Sequence, residues 1–201
     1  MEMVIGAARL LFDSDGTRAI KKGDVAVVYG LGPAGLIYVQ LTKAMGARKV
    51  IAVGRHRLRL GKALMLGADV AIDAQEGHVI DKVRDIGETL DIIIDATGAD
   101  IVTDVLALGH SGMAFVPYGV PPFDWKEKLP ELEGKGIVFR DGGLVEARVA
   151  VEQCIDWVAN GAIRLEPIIT HRISLEQVEF GLKLCHDFRN DTLKVVIDMA
   201  I

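Results

Sequence analysis

Residues 25–41 read "VAVVYGLGPAGLIYVQL": an apolar run, a loop with three glycines, and a segment whose apolar side chains have helical spacing. Gly30, Gly32 and Gly35 form the pattern G-x-G-x-x-G between a predicted strand and a predicted helix. In such a loop the first glycine allows a sharp turn, the second lets a pyrophosphate approach the backbone, and the third lets the helix pack on the strand. The helix N-terminus then offers free N–H groups to the phosphates. The stretch therefore predicts dinucleotide binding; the alternative is a glycine-rich packing turn in an α/β protein.

Strand-like and helix-like stretches alternate through most of the chain. Several strand candidates are continuous Val/Ile runs, which is typical of parallel strands buried on both faces. They are residues 25–29, 49–53, 69–73, 90–96, 113–118 and 136–139, and the helix candidates between them are 33–46, 57–66, 76–87 and 100–109. This alternation predicts an α/β fold with a doubly wound, parallel, six-stranded Rossmann sheet of strand order 3-2-1-4-5-6.

The pattern changes after Gly142. Residues 146–159 space their apolar side chains as one face of a helix, and a further helix opens at Ser174, with Gln177 at capping-box spacing. The chain closes with the strand-like "LKVVIDM" at 193–199. We therefore expect a C-terminal extension of helices and a strand outside the six-stranded sheet.

Composition and charge argue against several classes of partner. The chain has 201 residues, half of them apolar, and its formal net charge of −5 does not suit a nucleic-acid surface. No apolar run reaches the ~18 residues that a membrane-spanning helix needs. Two cysteines are too few for a disulfide framework, so a cytoplasmic location is expected.

The end of the second predicted strand lacks an acidic residue. In NAD-binding proteins with this loop, an acidic side chain there hydrogen-bonds the adenosine ribose 2′-hydroxyl. Here Gly54 stands at that end, followed by Arg55, His56, Arg57 and Arg59. A glycine leaves room for a 2′-phosphate, and guanidinium groups bind phosphate through charge-assisted, often bidentate hydrogen bonds. We therefore predict NADP(H) in preference to NAD(H); the alternative for at least one of the arginines is that it faces water.

No other group of residues predicts chemistry by its spacing. The cysteines Cys154 and Cys185 could ligate a metal together with His171 and His186, but no C-x-x-C pair is present. Both cysteines fall on apolar helix faces, so we expect them in the core. Asp95, at the end of the fourth predicted strand, is interpreted as a capping or turn carboxylate. We predict no catalytic residue and no metal ligand in this chain.

Segments in order along nearly the whole chain together resemble the medium-chain dehydrogenase/reductase family. They include "KKGDVAVVYGLGPAGLIYVQLTKAMGARKVIAV", "DIIIDATG", "FVPYGVPP" and "LEPIITHRISLEQVEFGLKL". The resemblance is closest to the zinc-type alcohol and polyol dehydrogenase branch. It implies an oxidoreductase in which hydride passes between a nicotinamide cofactor and a small alcohol or carbonyl substrate.

The resemblance also implies a domain order of a GroES-like catalytic domain, a Rossmann NAD(P)-binding domain and a return segment. Residues 1–22 then correspond to the linking segment from the catalytic domain, 23–145 to the Rossmann domain, and 146–201 to the C-terminal return segment. The family's zinc ligands and proton relay lie in the catalytic domain, which is absent from this sequence. We therefore expect zinc only in that missing domain, and expect this chain alone to bind the cofactor without catalysis.

The resemblance also implies which positions bind the cofactor. The pyrophosphate loop corresponds to Gly30, Gly32, Pro33, Ala34 and Gly35, and the adenosine-ribose pocket to Gly54, Arg55, His56 and Arg59. The turn over the nicotinamide-side ribose corresponds to Ala96 and Thr97, and the backbone groups that hold the carboxamide to Tyr118, Ile137 and Phe139. A basic position that reaches the pyrophosphate corresponds to Lys194.

Two alternative functions use the same predicted fold. One is a non-catalytic NADP(H)-binding or redox-sensing module. The other is a methyltransferase, against which Gly54 argues, because such an enzyme needs an acidic residue there to hold ribose hydroxyls.

The last predicted strand of the sheet, residues 136–139, is a short apolar edge without an internal charge or proline. Edges of this kind pair with other chains, and two-fold symmetry is the commonest result. We therefore predict a homodimer through this strand, as the resemblance also implies. The alternative is that the tail after Gly142 covers it.

Overall fold

The computed structural model describes residues 2–9, 11, 19–121, 123–140, 147–186 and 192–200. Six parallel strands form the main sheet: β1 (Val25–Tyr29), β2 (Lys49–Gly54), β3 (Val70–Asp73), β4 (Ile92–Asp95), β5 (Ala114–Pro117) and β6 (Val138–Phe139). Their order is β3-β2-β1-β4-β5-β6, which confirms the predicted doubly wound topology. Because the chain leaves β1 toward β2 but β4 lies on its other side, a crevice opens between the carboxyl ends of β1 and β4.

The helices are α1 (Glu2–Arg9), α2 (Pro33–Ala44), α3 (Arg57–Met65), α4 (Val79–Asp85), α5 (Val102–Leu108), α6 (Leu129–Gly134), α7 (Ala147–Ala159) and α8 (Val178–His186), of which α1 to α7 cover the two faces of the sheet. Ala26 and Val28 of β1 pack in one core with α1, α2, α3 and α7. Val25 and Val27 pack in a second core with α4, α5 and α6. Both faces of β1 are thus buried, which is why its sequence shows no polar alternation.

The C-terminal extension packs on the same core as the sheet. Its two parallel strands, β7 (Ile169–Ile173) and β8 (Lys194–Ile197), pair with each other and not with the main sheet. Trp157 and Leu193 are buried in the core that also contains Val28. The extension and the Rossmann sheet therefore share one continuous core.

Several features differ from the sequence-based expectations. Helices α1 and α6 and strand β7 were not predicted, and the last strand of the sheet is only Val138–Phe139 instead of 136–139. The expectation that both cysteines lie in the core is wrong for Cys185, which is exposed on α8, whereas Cys154 is buried. None of the helices in the described part of the chain has the length and apolar character of a membrane span.

Candidate cofactor-binding site

The chain leaves β1 through a turn that only glycine can make. Gly30 has a φ of +85°, and its N–H donates to the carbonyl of Val53 at 2.9 Å. A Cβ on Gly30 would lie 2.7 Å from Thr97 Cγ2 and 2.9 Å from the carbonyl carbon of Ala96. The loops after β1 and β4 therefore touch through their backbones, and the first glycine of the motif is required by both conformation and space.

The other two glycines of the motif have opposite surroundings. A Cβ on Gly35 would lie 1.7 Å from the carbonyl oxygen of Gly30, so α2 rests directly on the turn. A Cβ on Gly32 would meet nothing within 4 Å, so this side of the loop is open. Gly32 is also the N-cap of α2, with Pro33 at the first helical position. The open space thus lies where the first-turn N–H groups of α2 have no helical partner.

Asp95 organises the wall of the crevice that follows β4. Its side chain is fully buried, and Oδ1 accepts hydrogen bonds from the Thr97 N–H at 2.7 Å and the Thr97 hydroxyl at 2.5 Å. The Thr97 hydroxyl in turn accepts from the N–H of Ala99 at 2.9 Å. Burial raises the pKa of Asp95, and the bonds from Thr97 partly oppose that rise. These contacts confirm that Asp95 is a turn carboxylate.

The loops after β4 and β5 cross at two glycines. A Cβ on Gly119 would lie 2.1 Å from the nitrogen of Gly98, so the two backbones are in contact and position 119 has no room for a side chain. Beside this crossing, the ring of Tyr118 packs edge-on against Tyr38 of α2, with centroids 5.3 Å apart. Val120 follows and is 90% exposed. The crossing fixes Tyr118 at the carboxyl end of β5.

The end of β2 is packed more tightly than the sequence suggested. A Cβ on Gly54 would lie 2.8 Å from Leu31 Cδ1 and 3.0 Å from its Cγ. Leu31 itself is only 3% exposed. The space on this side of Gly54 is therefore occupied by Leu31 and is not free for a phosphate. Beyond Gly54, Arg55 is exposed and His56 is the half-buried N-cap of α3.

The three arginines near the start of α3 have different surroundings. The Arg59 guanidinium donates to the carbonyl of Thr192 at 3.0 Å, in the C-terminal extension. Burial lowers the pKa of Arg59, and the positive charge of Arg55 lowers it further. Arg57 lines an open depression beside Asp73, at the end of β3. Arg55 is thus the arginine at the exposed end of β2.

The remaining predicted positions divide into two groups. Pro33 and Ala34 are the first residues of α2, directly after Gly32 of the glycine loop. Ala96 and Thr97 lie in the loop that touches the glycine loop, so all four positions lie at the carboxyl end of the sheet. Lys194 is exposed at the start of β8, outside the main sheet.

The register of β6 places Ile137 and Phe139 away from the carboxyl end of the sheet. Val138 pairs with Ala114, the first residue of β5, so Ile137 lies at the amino end of the sheet, where its N–H donates to Leu132. Phe139 lies mid-sheet, with its ring against Phe115. Gly136, with a φ of +72°, lies between α6 and β6. The residues that would follow β6 at the carboxyl end, 141–146, lie outside the described residues.

Sequence reasoning missed Leu31 and the crossing of Gly98 and Gly119. The signal for the crossing was present, since each of these glycines closely follows a predicted strand, as "ATG" and "YG". The role of Leu31 had no local signal, because the variable position between two motif glycines carries no rule of its own.

Comparison with known proteins agrees with this geometry. The model of a family described as zinc-binding dehydrogenase matches residues 33–160. The chain belongs to this family. It corresponds to the cofactor-binding domain of the zinc-type, medium-chain alcohol dehydrogenases, and it matches the C-terminal half of their sequences.

Among curated relatives, the L-threonine 3-dehydrogenase of Sinorhizobium fredii is 28% identical over 183 residues, which cover 88% of this chain and 51% of the relative. The sorbitol dehydrogenase of Rattus norvegicus is 28% identical over 171 residues, covering 79% and 45%. The chain thus spans about half the length of the curated relatives that it matches.

Solved structures match almost the whole chain. The alcohol dehydrogenase TADH from Thermus sp. ATN1 is 26% identical with a TM-score of 0.80, covering 98% of this chain and 56% of that one. A short chain alcohol dehydrogenase (rspB) from Escherichia coli CFT073, solved with NADH, is 24% identical with a TM-score of 0.77, covering 97% and 58%. At this identity, the match to the E. coli enzyme is evidence for a shared fold only.

The family name implies zinc, but the described residues do not form a site for it. Among them, no three His, Cys, Asp or Glu side chains come together as metal ligands. Cys154 is buried in the core with Sγ 3.8 Å from the carbonyl of Val4, and Cys185 is exposed on α8. His171 Nδ1 lies 3.0 Å from the hydroxyl of Thr170.

Proposed function

We propose that this chain binds NADP(H) as the cofactor-binding part of an alcohol or polyol dehydrogenase. The observation that carries the proposal is the asymmetry of the glycine loop. Gly30 and Gly35 are closed off by backbone atoms, whereas the side of Gly32 is open at the N-terminus of α2. The relatives support the class of reaction, since the chain resembles a threonine dehydrogenase and a sorbitol dehydrogenase.

The residues of this chain hold the dinucleotide by three means. The backbone at Gly32 and the free N–H groups of α2 bind the pyrophosphate. The loop that Asp95 organises through Thr97 forms the opposing wall of the crevice. Arg55 binds the 2′-phosphate at the exposed end of β2, where its charge and fork geometry match a phosphate. The bound nicotinamide ring supplies or accepts the hydride.

Catalysis needs groups that the described residues do not bring together. One oxygen of the buried Asp95 carboxylate, Oδ1, accepts from Thr97, and no zinc-ligand cluster is present among the described residues. We therefore expect the 201-residue chain to bind the cofactor, with an increase in melting temperature, but not to oxidise alcohols or polyols. Elemental analysis should find no stoichiometric zinc. Turnover by the purified chain would contradict this part of the proposal and also the non-catalytic alternative.

The decisive test of the site is Gly32→Ala, compared with Gly61→Ala. Both positions have free space for a Cβ and neither has a positive φ, so both variants should fold. Gly61 lies on the exposed side of α3, away from the glycine loop. Titration calorimetry with NADPH should give an affinity lowered by about tenfold or more for Gly32→Ala, and an unchanged affinity for Gly61→Ala. Equal NADPH affinities of the two variants would contradict the assignment of the binding site to the glycine loop.

Cofactor preference is tested with Arg55→Ala, compared with Arg57→Ala. Both side chains are exposed, but only Arg55 follows Gly54 directly. The unmodified chain should bind NADPH about tenfold tighter than NADH, or better. Arg55→Ala should remove much of this difference and leave NADH affinity nearly unchanged, whereas Arg57→Ala should preserve it. If the unmodified chain binds NADPH and NADH equally, or binds NADH more tightly, the predicted preference for NADPH is wrong.

A further inference from the structure

The strand order gives the nicotinamide half of the proposed cofactor a defined direction across the sheet. The proposed function puts the pyrophosphate at the N-terminus of α2, after β1, and the 2′-phosphate at Arg55, after β2. In the sheet, β2 lies on one side of β1, whereas β4 and β5 lie on the other. A dinucleotide that extends in both directions from its pyrophosphate therefore lays its nicotinamide over the carboxyl ends of β4 and β5.

A pair of tyrosines lies at that end of the crevice. Tyr118 directly follows β5, and its ring meets Tyr38 of α2 with centroids 5.3 Å apart and planes inclined at 75°. This is the edge-to-face geometry that aromatic pairs prefer. Because β4 lies between β1 and β5, the pair spans β4 on the face of the sheet that α2 covers. The Tyr118 ring thus lies beside the strand ends over which the nicotinamide is expected.

The core fixes Tyr38, whereas Tyr118 is partly exposed. Tyr38 is fully buried, and its hydroxyl has no hydrogen-bond partner among the described residues, so packing alone holds its ring. The backbone at Tyr118 is also fixed, because its N–H and that of Gly119 both donate to the carbonyl of Asp95 at 2.9 Å. The remaining freedom of Tyr118 is in its side-chain torsions, and the contact with Tyr38 restricts them.

We propose that Tyr118 forms a wall against which the nicotinamide ring packs, and that Tyr38 is the residue that positions this wall. The inference rests on the proposed function, since it concerns the nicotinamide end of the same site. Two flat rings in contact gain both apolar burial and an aromatic interaction. Tyr38 is too deeply buried to touch the cofactor, so its effect passes through Tyr118.

The test compares NADPH with 2′-phospho-ADP-ribose, which lacks only the nicotinamide, by titration calorimetry. Tyr118→Ala should weaken NADPH binding about tenfold and leave the affinity for 2′-phospho-ADP-ribose unchanged. Tyr38→Leu removes the supporting ring and should weaken NADPH binding about threefold, again without an effect on the shorter ligand. Tyr38→Phe keeps the ring and removes only the hydroxyl, so it should bind both ligands as the unmodified chain does.

Phe115→Leu controls for a general loss of stability. Phe115 is fully buried on β5, in the core on the opposite face of the sheet. This variant should lower the melting temperature without changing the ratio of the two affinities. If Tyr118→Ala does not fold, Tyr118→Leu, which also lacks the ring, replaces it.

The outcomes separate this inference from the proposed function. If Tyr118→Ala weakens both ligands equally, or if the unmodified chain binds both equally, the Tyr118 ring does not pack against the nicotinamide and the inference is wrong. If Tyr38→Phe weakens NADPH binding as much as Tyr38→Leu, the ring of Tyr38 is not what positions Tyr118. These results would leave the proposed cofactor site intact. A chain that binds neither ligand contradicts the proposed function and, with it, the inference.

Discussion

Gln40 joins α2 to the C-terminal extension, and its replacement should destabilise the protein measurably. The side chain is 2% exposed. Its Oε1 accepts from the N–H of Arg164 at 2.7 Å, and its Nε2 donates to the carbonyls of Arg164 and Leu36, both at 3.2 Å. The amide thus pairs with both backbone groups of Arg164, as a neighbouring strand would. Gln40→Leu keeps the size of the side chain but removes both of these bonds.

The expected loss follows from the bonds that are broken. Two tertiary hydrogen bonds contribute about 1 kcal/mol each, and leaving a partly buried N–H of Arg164 without an acceptor adds about 1 kcal/mol. The apolar gain from leucine offsets part of this, so we expect a loss of about 2–3 kcal/mol in the free energy of unfolding. For a chain of this length, that corresponds to a fall of roughly 4–12 °C in melting temperature. Urea unfolding followed by circular dichroism measures the loss.

Thr42→Val is the matched control for Gln40→Leu. Thr42 lies on the same helix and is fully buried, but its hydroxyl donates only to the carbonyl of Val39, within α2. We expect it to cost about 1 kcal/mol or less, because no tertiary bond is lost. Gln40→Glu should be least stable near neutral pH, because a carboxylate would there face two carbonyl oxygens. Its free energy of unfolding should rise as acid protonates the carboxylate. A Gln40→Leu variant within about 0.5 kcal/mol of the unmodified chain would refute this reasoning.

Three further predictions concern other parts of the chain. Val138, which is 45% exposed on the edge strand β6, should hold two copies together, so Val138→Lys should convert the expected homodimer to monomer in light scattering; a monomeric unmodified chain would contradict this. A thiol reagent at pH 8 should modify exposed Cys185 in the folded protein but not Cys154, because burial raises the pKa of Cys154 to about 11. Arg48 and Lys49 lower the pKa of Glu88 from 4.5 to about 2, so the stabilisation is complete above pH 4.5 and is lost as pH falls toward 2. Glu88→Gln should therefore lower the melting temperature at pH 7 but not near pH 2; an equal difference at both pH values would argue against it.

Local spacing was enough to predict the sheet and the glycine loop. The Val/Ile runs predict buried parallel strands, and Gly30 and Gly35 are where the motif requires them because backbone contacts exclude any side chain. The elements that were missed depend on distant partners. Strand β7 exists because it pairs with β8, and the role of Gln40 depends on a residue more than a hundred positions away. Helix α6, which precedes the last strand, was also missed, and that strand begins at Val138.

Arg55 and Arg59, at and near the start of α3, are close in sequence but have different surroundings in the structure. Other basic side chains of the surface form ion pairs; Lys43 Nζ, for example, lies 2.6 Å from Asp69 Oδ2. Among the described residues, no acidic side chain lies within ion-pair distance of Arg55, and the first turn of α3 contains no acid. Positive charge at a helix N-terminus is unfavourable by about 0.3–1 kcal/mol, because it meets the positive end of the dipole. Arg59 offsets part of this cost by donating to the carbonyl of Thr192, whereas no described residue gives Arg55 a comparable contact. An anion at the end of β2 would remove that cost, so the unfavourable charge of the free protein would contribute to the proposed affinity for a 2′-phosphate.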